Sequence, residues 1–219
     1  MCARKYNGHE LWTALGVIQE AGIDFEVVSQ DTIIVDEVTG QPNSIKRTVY
    51  DVTLEEATSK FTAIMIVSGN MKLTEAYWRD AHVLDLIAAH EACSNPIAAI
   101  CCSVPTIREA AAGKAVSFFP LIRSRELLTA AGAILRTVAW TVDQNLCTAE
   151  HQMASQSWAE AFCRMIKGEA QTIKLVDSGY VPKGRPRKTP PAILALQGKE
   201  RDDPLPPRNP NRKKPIDEV

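Results

Sequence analysis

The stretch Asn95-Pro-Ile-Ala-Ala-Ile-Cys-Cys-Ser-Val-Pro105 decides the fold. Residues 96–100 are an unbroken apolar run, which is typical of a strand covered on both faces and hence of a parallel sheet. A helical pattern over residues 104–112 follows, so the chain is predicted to bend sharply at Cys101 and Cys102. In parallel α/β sheets, binding and catalysis concentrate at such strand ends, where loops and helix amino termini converge.

A second apolar run lies upstream of this stretch. Residues 61–67 predict another buried strand, and Ser68-Gly69-Asn70 ends it. A long helix is predicted between the two strands, over residues 73–93. Helical spacing also predicts a first helix over residues 10–21 and a closing helix that contains residues 158–165. Strands that alternate with helices of this length indicate an α/β sandwich with a mostly parallel sheet.

The remaining predicted elements are shorter. They are a strand over residues 24–28, a hairpin with strands at 32–35 and 48–50, a strand over 115–119, a helix over 126–131, and two strand-like runs around 143–145. Residues 1–6 are short and half polar, although a doubly wound sheet normally begins with a strand. Two alternatives stay open: a stunted strand forms there, or that position in the sheet is empty.

Composition indicates an ordinary globular body. Of the 219 residues, 45% are hydrophobic and 23% are charged, which excludes collagen-like, wholly disordered and coiled-coil chains. The longest apolar runs, residues 64–67 and 96–102, fall far short of the ~20 residues that span a bilayer. Polar residues occupy the place where a secretory signal has its apolar segment. We therefore expect a cytoplasmic protein without membrane segments.

The last part of the chain differs in charge and in proline content. Residues 181–219 hold ten Lys or Arg, five Asp or Glu and nine of the 13 prolines, which leaves 15 basic and 21 acidic residues in 1–180. Such a basic, Pro-rich segment does not bury enough apolar surface to fold. We expect a folded domain over residues 1–175 and a disordered tail over residues 176–219. The tail lacks the aromatic residues of a base-stacking surface, so a nucleic-acid partner is not predicted.

The chain contains six cysteines, which are Cys2, Cys93, Cys101, Cys102, Cys147 and Cys163. Their spacing is not that of a zinc site, and the adjacent Cys101 and Cys102 cannot readily form an unstrained bridge. In a chain without an export signal, buried thiols and one reactive thiol are expected rather than disulfides. No metal and no other cofactor is predicted.

A cysteine on a sharp strand-to-helix turn is well placed for nucleophilic chemistry. The turn exposes its sulfur, the helix dipole lowers the pKa of the thiol, and free backbone N–H groups nearby hold an oxyanion. Gly69 has no side chain, so its N–H is predicted to approach from the neighbouring strand end as an oxyanion donor. From spacing alone, Cys101 fits a buried structural thiol equally well.

The same residues resemble the PfpI/ThiJ family, within the class I glutamine amidotransferase-like superfamily. Asn95-Pro-Ile-Ala-Ala-Ile-Cys101 resembles its nucleophile strand, and Ile66-Val-Ser-Gly-Asn70 resembles its oxyanion loop. Val116-Ser-Phe-Phe-Pro120 is similar to the strand after its elbow helix, and the similarity extends along most of residues 8–167. The resemblance implies a flavodoxin-like three-layer α/β sandwich with a mostly parallel sheet and a nucleophile elbow.

The resemblance also implies a role for Glu10. The family places a Glu at the start of its first helix, twelve residues before a Gly that ends the helix, and Glu10 and Gly22 keep this interval. In the family this carboxyl group hydrogen-bonds to the nucleophile's sulfur, which usually requires a protonated Glu beside a thiolate. The alternative is an acidic residue of the first turn that interacts with the helix dipole. We take Glu10 as a catalytic residue.

The identity of the nucleophile depends on the register of the strand. Counted along the strand, Cys101 occupies the family's nucleophile position; counted backward from Pro105, Cys102 does. We favour Cys101, because a slip of one residue would turn every strand side chain to the other face of the sheet. The backbone N–H groups of Gly69 and Cys102 are then the oxyanion donors, and Ser103 belongs to the same binding loop.

No His occupies a position that matches a general base of the family. Members have a His directly after the nucleophile or in the late hairpin, where this chain has Cys102 and Ala131-Gly132-Ala133. His151 and His9 are further candidates for a base, and a solvated surface role is the alternative for both. The elbow also carries Ser103-Val104 where many members have Gly-Pro.

These features predict a cysteine-dependent hydrolase or lyase that acts on a small-molecule electrophile. The resemblance implies glyoxalase- or deglycase-like, isonitrile hydratase-like or amidase-like activity, and the missing His disfavours peptidase or amidase chemistry. Two alternatives stay open. One is a non-catalytic relative that senses oxidation or binds a partner, and the other is a subunit whose first strand comes from another chain. The resemblance implies a homodimer in each case.

Overall fold

The structure, a computed structural model, describes residues 1–169. The predicted tail at residues 176–219 lies outside the described residues, and so does the end of the predicted folded domain. No helix in the described part combines the length and the apolarity that crossing a bilayer requires.

Residues 1–169 contain nine strands and six α-helices. The strands are β1 (Lys5–Tyr6), β2 (Ile33–Asp36), β3 (Pro42–Ser44), β4 (Ile64–Ile66), β5 (Ile97–Ile100), β6 (Ala115–Ser117), β7 (Ile134–Arg136), β8 (Trp140–Asp143) and β9 (Leu146–Ala149). The helices are α1 (Gly8–Glu20), α2 (Leu54–Ser59), α3 (Met71–Tyr77), α4 (Ala81–Ala92), α5 (Ile122–Ala130) and α6 (Ser155–Ile166). Short 3-10 helices lie at Val49–Asp51, Cys101–Ile107 and Gln152–Ala154.

The two apolar runs form the centre of the sheet. β4 pairs with β5 and β5 pairs with β9, both in parallel, and β8 pairs antiparallel with β9. β1 runs parallel to β2 and β3 antiparallel to it, and the bridges Cys2–Val67 and Tyr6–Gly69 join this group to β4 and its following loop. β6 and β7 form a further parallel pair. The predicted α/β fold with a mostly parallel sheet is confirmed.

Successive residues of the central strands point to opposite faces of the sheet, as the period of two requires. In β5, Ile97 and Ala99 pack into one apolar cluster, whereas Ala98 and Ile100 pack into the other. Side chains of α4 and α5 complete the first cluster, and side chains of α1 and α6 complete the second. The sheet therefore lies between two helical layers, as the three-layer sandwich predicts.

Two predicted strands are wrong. Residues 24–28 form no strand. Their backbone hydrogen bond to a neighbouring segment is at the last residue, where Cys2 N donates to Val28 O at 3.1 Å. Residues 48–50 lie in a 3-10 turn, because the Asp51 carboxylate accepts hydrogen bonds from Thr48 N and Oγ1 at 2.7 and 2.8 Å. β3 is the second strand of the predicted hairpin instead.

The prediction of one continuous helix over residues 73–93 is wrong, because two helices form there. α3 ends before Trp78, and Asp80 begins α4 by accepting a hydrogen bond from Val83 N at 3.2 Å. Such a cap favours a new helix start over continuation of the old helix. Arg108 Nη1 donates to Trp78 O at 2.7 Å and so satisfies a carbonyl at the break.

The other predicted elements form, with shifted ends. The stunted alternative for the first strand is confirmed, since β1 has two residues and pairs with β2. The helix predicted over residues 104–112 is the 3-10 helix Cys101–Ile107, because Pro105 has no N–H to donate and disfavours a regular α-helix there. β8 and β9 form the late hairpin.

The backbone of β1 passes so close to Gly69 that no side chain fits there. A Cβ at Gly69 would lie 2.6 Å from Tyr6 Cα and would overlap the Lys5 carbonyl oxygen. Gly69→Ala is therefore expected to lower the free energy of unfolding by about 2 kcal/mol or more, measured by chemical denaturation.

Gly16→Ala is the matched control for this substitution. Gly16 lies exposed in α1, and a Cβ there meets no atom within 4 Å. This control is expected to raise the free energy of unfolding by up to about 1 kcal/mol, because Ala favours a helix interior. Similar effects at both positions would contradict the close approach of β1.

Candidate active site

Cys101 occupies the sharp turn between β5 and the 3-10 helix that follows it. Its φ is +59°, in the left-handed region that residues other than Gly rarely adopt. Cys101 is half-buried, whereas Cys102 is only 3% exposed. The first cysteine of the turn is therefore partly exposed and the second is buried.

Buried polar contacts hold this elbow in place. The Ser103 hydroxyl accepts a hydrogen bond from Ile100 N at 3.1 Å and lies within donating distance of the carbonyl oxygens of Ile100 and Ile66, at 2.7 and 2.9 Å. Trp78 Nε1 donates to Cys102 O at 3.0 Å. Ser103, predicted for the binding loop, thus uses its hydroxyl within the elbow and joins β5 to β4.

Glu10 lies in the first turn of α1 and is completely buried. Asn7 caps this helix by accepting a hydrogen bond from Glu10 N at 3.2 Å. Glu10 Oε2 accepts two hydrogen bonds from Ser68, one from the backbone N at 2.8 Å and one from Oγ at 2.7 Å. Glu10 Oε1 is buried and has no partner within hydrogen-bonding distance among residues 1–169.

Burial makes the Glu10 carboxyl group a weak acid. It raises the pKa of Glu10 from its ordinary value of 4.5 to about 8, although the hydrogen bonds from Ser68 oppose this shift. The nearby Cys101 thiol opposes the shift slightly as well. Because Oε2 already accepts two hydrogen bonds, we place the proton on Oε1. The carboxyl group is then a hydrogen-bond donor beside the elbow at neutral pH.

The thiols of Cys101 and Cys102 interact directly and titrate as a pair. The Cys101 side chain has the largest effect on the pKa of Cys102, and Ser68, Gly69 and Thr74 act in the same direction; together they outweigh burial and lower this pKa to about 7. The contact with Cys102, together with burial, raises the pKa of Cys101. Cys102 is therefore the stronger acid of the two thiols, and a negative charge on the pair resides mainly on the Cys102 sulfur.

Gly69 lies beside this pair, as the sequence predicts. It is half-buried, and its carbonyl oxygen lies 3.8 Å from Cys102 Sγ. Its backbone position is determined by the bridge to β1, in which Asn7 N donates to Ser68 O and Asn70 N donates to Lys5 O at 2.9 and 2.8 Å.

The two candidate histidines lie on different elements of the structure. His9 is exposed on α1, directly before the buried Glu10. His151 Nδ1 accepts a hydrogen bond from Met153 N at 3.1 Å and caps the 3-10 helix there. Within residues 1–169, no three His, Cys, Asp or Glu side chains are arranged to hold a metal ion.

Sequence reasoning missed Ser68 and Thr74. Ser68 lies in the loop already identified, yet nothing in its spacing indicates that its hydroxyl bonds to Glu10 and lies near both sulfurs. Thr74 lies on α3, and its Oγ1 is buried without a partner within hydrogen-bonding distance in the described part of the chain. Both contacts cross between elements far apart in sequence.

Comparison with known proteins agrees with this architecture. Residues 1–165 match the model of the DJ-1/PfpI family. An uncharacterised protein of Methanocaldococcus jannaschii is 26% identical over 149 residues, which cover 67% of this chain and 70% of that protein.

Several solved structures share the fold of this chain, although their sequence identity to it is low. A ThiJ/PfpI domain protein of Brachyspira murdochii has a TM-score of 0.68 at 17% identity, over 78% of this chain and 95% of that one. DJ-1beta of Drosophila melanogaster has a TM-score of 0.63 at 19% identity, over 77% and 88%. A putative protease I of Bacteroides thetaiotaomicron has a TM-score of 0.63 at 16% identity, over 78% and 96%.

The raised pKa of Glu10 makes stability depend on pH. Between its ordinary pKa of 4.5 and about 8, the folded state retains a proton that the unfolded state has lost, so stability falls as the pH rises. Glu10→Gln removes this component. Its free energy of unfolding relative to wild type is expected to rise by about 3 kcal/mol between about pH 5 and about pH 7.

Glu20→Gln is the control, because Glu20 lies exposed at the end of the same helix. Denaturant unfolding of the three proteins at each pH measures the effect. The Glu20→Gln difference from wild type is expected to stay constant across this range. A Glu10→Gln curve that runs parallel to wild type would show that Glu10 is ionised in the folded protein.

Proposed function

Because this chain belongs to the DJ-1/PfpI family, we propose that it is a cysteine-dependent enzyme that acts on a small electrophile. One observation carries the proposal: the half-buried Cys101 lies on a positive-φ elbow beside the buried Glu10 carboxyl group. Structural thiols do not need such a turn, which costs backbone energy.

In this proposal Cys101 is the nucleophile and Cys102 assists its ionisation. Cys101 is the more exposed of the two cysteines, and Cys102 has the lower pKa. As Cys101 attacks an electrophilic carbon, the proton between the sulfurs moves to Cys102. The second thiol then takes the place of the His that the elbow lacks.

Glu10 and two backbone N–H groups complete the proposed site. Protonated Glu10 donates from Oε1 to the Cys101 thiolate before the attack, and then to the oxygen on which charge develops. The N–H groups of Gly69 and Cys102 are the oxyanion donors. Cys102 supports this assignment because it lies in the first turn of its 3-10 helix, where N–H groups have no acceptor within the helix.

The proposed substrate class is a small aldehyde of the glyoxal type, with isonitriles as the second class. Addition to either requires a thiolate and one proton donor, which Cys101 and Glu10 supply. An amide also requires protonation of an amine leaving group, and no His at a matched position performs this. The reaction proposed is therefore an addition or hydration of hydrolase or lyase type.

We also propose that the protein is a homodimer. The support is a groove between α1 and the β2–β3 hairpin, with Trp12 and Phe25 beside it 49% and 45% exposed. Light scattering of the full chain tests the proposal: a dimer is expected, and a monomer would refute it.

Cys101→Ala is expected to lower kcat/KM by a factor of about 100 or more with methylglyoxal or with an isonitrile, because the attacking atom is removed. Cys93→Ala, an exposed cysteine that follows α4, is expected to retain the wild-type value. Turnover is followed by loss of substrate. Equal turnover by wild type and Cys101→Ala for every substrate would sink the proposal.

Cys102→Ala separates the two possible nucleophiles. This variant retains the backbone N–H and the accessible Cys101, so its kcat/KM is expected to stay within about tenfold of wild type at a pH where Cys101 ionises. Steady-state kinetics over a range of pH measures it. A loss as large as that of Cys101→Ala would identify Cys102 as the nucleophile.

A further inference from the structure

The cysteine pair at the elbow combines an accessible thiol with a buried thiol that contacts it. Cys101 is half-buried and Cys102, the next residue in the chain, is 3% exposed, and the two thiols affect each other's titration. Ser68 lies within reach of both sulfurs. A reagent from solution therefore reaches one sulfur first and finds the second sulfur as its nearest thiol.

Unpartnered polar atoms surround the pair. Glu10 Oε1 and Thr74 Oγ1 are buried and have no partner within hydrogen-bonding distance among residues 1–169. Glu10 lies near the Cys101 sulfur and Thr74 near the Cys102 sulfur, since each affects the titration there. A buried polar atom without a partner is costly, and an oxygen atom bound to Cys101 would give such an atom a partner.

We propose that Cys101 and Cys102 form a reversible redox couple, in which a hydroperoxide oxidises Cys101 and Cys102 resolves the product to a disulfide between neighbouring residues. This proposal does not depend on the proposed enzymatic activity, since it involves no other substrate. Cys102 is the cysteine adjacent to Cys101 in the chain. Of the other four, Cys2 and Cys147 are completely buried, Cys163 is 4% exposed, and the exposed Cys93 follows α4.

The chemistry balances with one hydroperoxide molecule. The Cys101 thiolate attacks one oxygen, the O–O bond breaks, and the departing hydroxide takes up a proton to leave as water; Cys101 is now a sulfenic acid. The proton that the first hydroxide takes up comes from Cys102. The Cys102 thiolate then attacks Cys101 Sγ, so that the S–S bond forms and the S–O bond breaks. The second hydroxide takes a proton from Glu10, which becomes a carboxylate, and leaves as water. The cysteine pair loses two electrons, and hydrogen peroxide, the hydroperoxide used in the test, is reduced to two water molecules.

Geometry makes such a disulfide easy to reduce. The Cα atoms of neighbouring residues are about 3.8 Å apart, which is shorter than the range of about 4.4–6.8 Å usual for disulfides. The bond is therefore strained, and strained disulfides have high reduction potentials and exchange readily with thiols. Oxidation at this elbow is thus expected to be reversed by a thiol such as glutathione.

The test uses mass spectrometry on the full chain with Cys93→Ser, a substitution that removes the only other cysteine from the tryptic peptide 80–108. After hydrogen peroxide treatment and alkylation, this peptide is expected to be lighter than the free peptide by two hydrogen atoms and to carry no alkyl group. Glutathione before alkylation is expected to restore two alkylated cysteines.

A matched pair of variants distinguishes disulfide formation by Cys102 from oxidation of Cys101 alone. Cys102→Ser and Cys102→Ala, each in the Cys93→Ser chain, are expected to stop at oxidised Cys101, with one or more added oxygen atoms. Three results would overturn the proposal: an alkylated Cys102 beside a sulfinic Cys101 in the parent, a disulfide between two chains on a non-reducing gel, or two unoxidised thiols. Because no turnover is measured, failure here leaves the enzymatic proposal intact, and the reverse also holds.

Discussion

The buried contact between Glu10 and Ser68 is the constraint on which the site depends. A carboxyl group without access to water must either pair its oxygens or remain protonated, and Glu10 does both, with Oε2 bonded twice to Ser68. These bonds join the start of α1 to the loop after β4, fifty-eight positions away in the chain. They leave the second oxygen without a partner among residues 1–169, and in the proposed mechanism this oxygen carries the proton that the site donates.

The elbow is held by neighbours that play no chemical part. Ser103 bonds to the backbones of two central strands, Trp78 bonds to the Cys102 carbonyl, and Arg108 bonds to the Trp78 carbonyl. Together these contacts stabilise a backbone conformation at Cys101 that a residue with a Cβ otherwise avoids. This accounts for an elbow that keeps its shape although Ser103-Val104 replaces the Gly-Pro found in many relatives.

A pair of sulfurs gives this site a different proton balance from a cysteine–histidine pair. An imidazole accepts the nucleophile's proton and gains a charge, whereas a Cys102 thiolate would accept the proton of Cys101 and lose its charge. The electrostatic effect falls on Glu10 too, because a negative charge on Cys102 raises the pKa of its carboxyl group. Charge on the sulfurs and the proton on Glu10 therefore stabilise each other. The proposed chemistry and the proposed redox couple use this same property.

The central layer follows from the sequence alone: the apolar runs at residues 61–67 and 96–100 contain β4 and β5, as expected of strands covered on both faces. Position and resemblance also place Glu10, Gly69 and the two cysteines in one predicted site. Three features emerge only in the folded chain: residues 24–28 form no strand, the predicted helix over 73–93 breaks before Asp80, and Ser68 bonds to Glu10. Strand pairing, helix breaks and side-chain directions depend on partners distant in the chain, and a local pattern of residues carries no information about them.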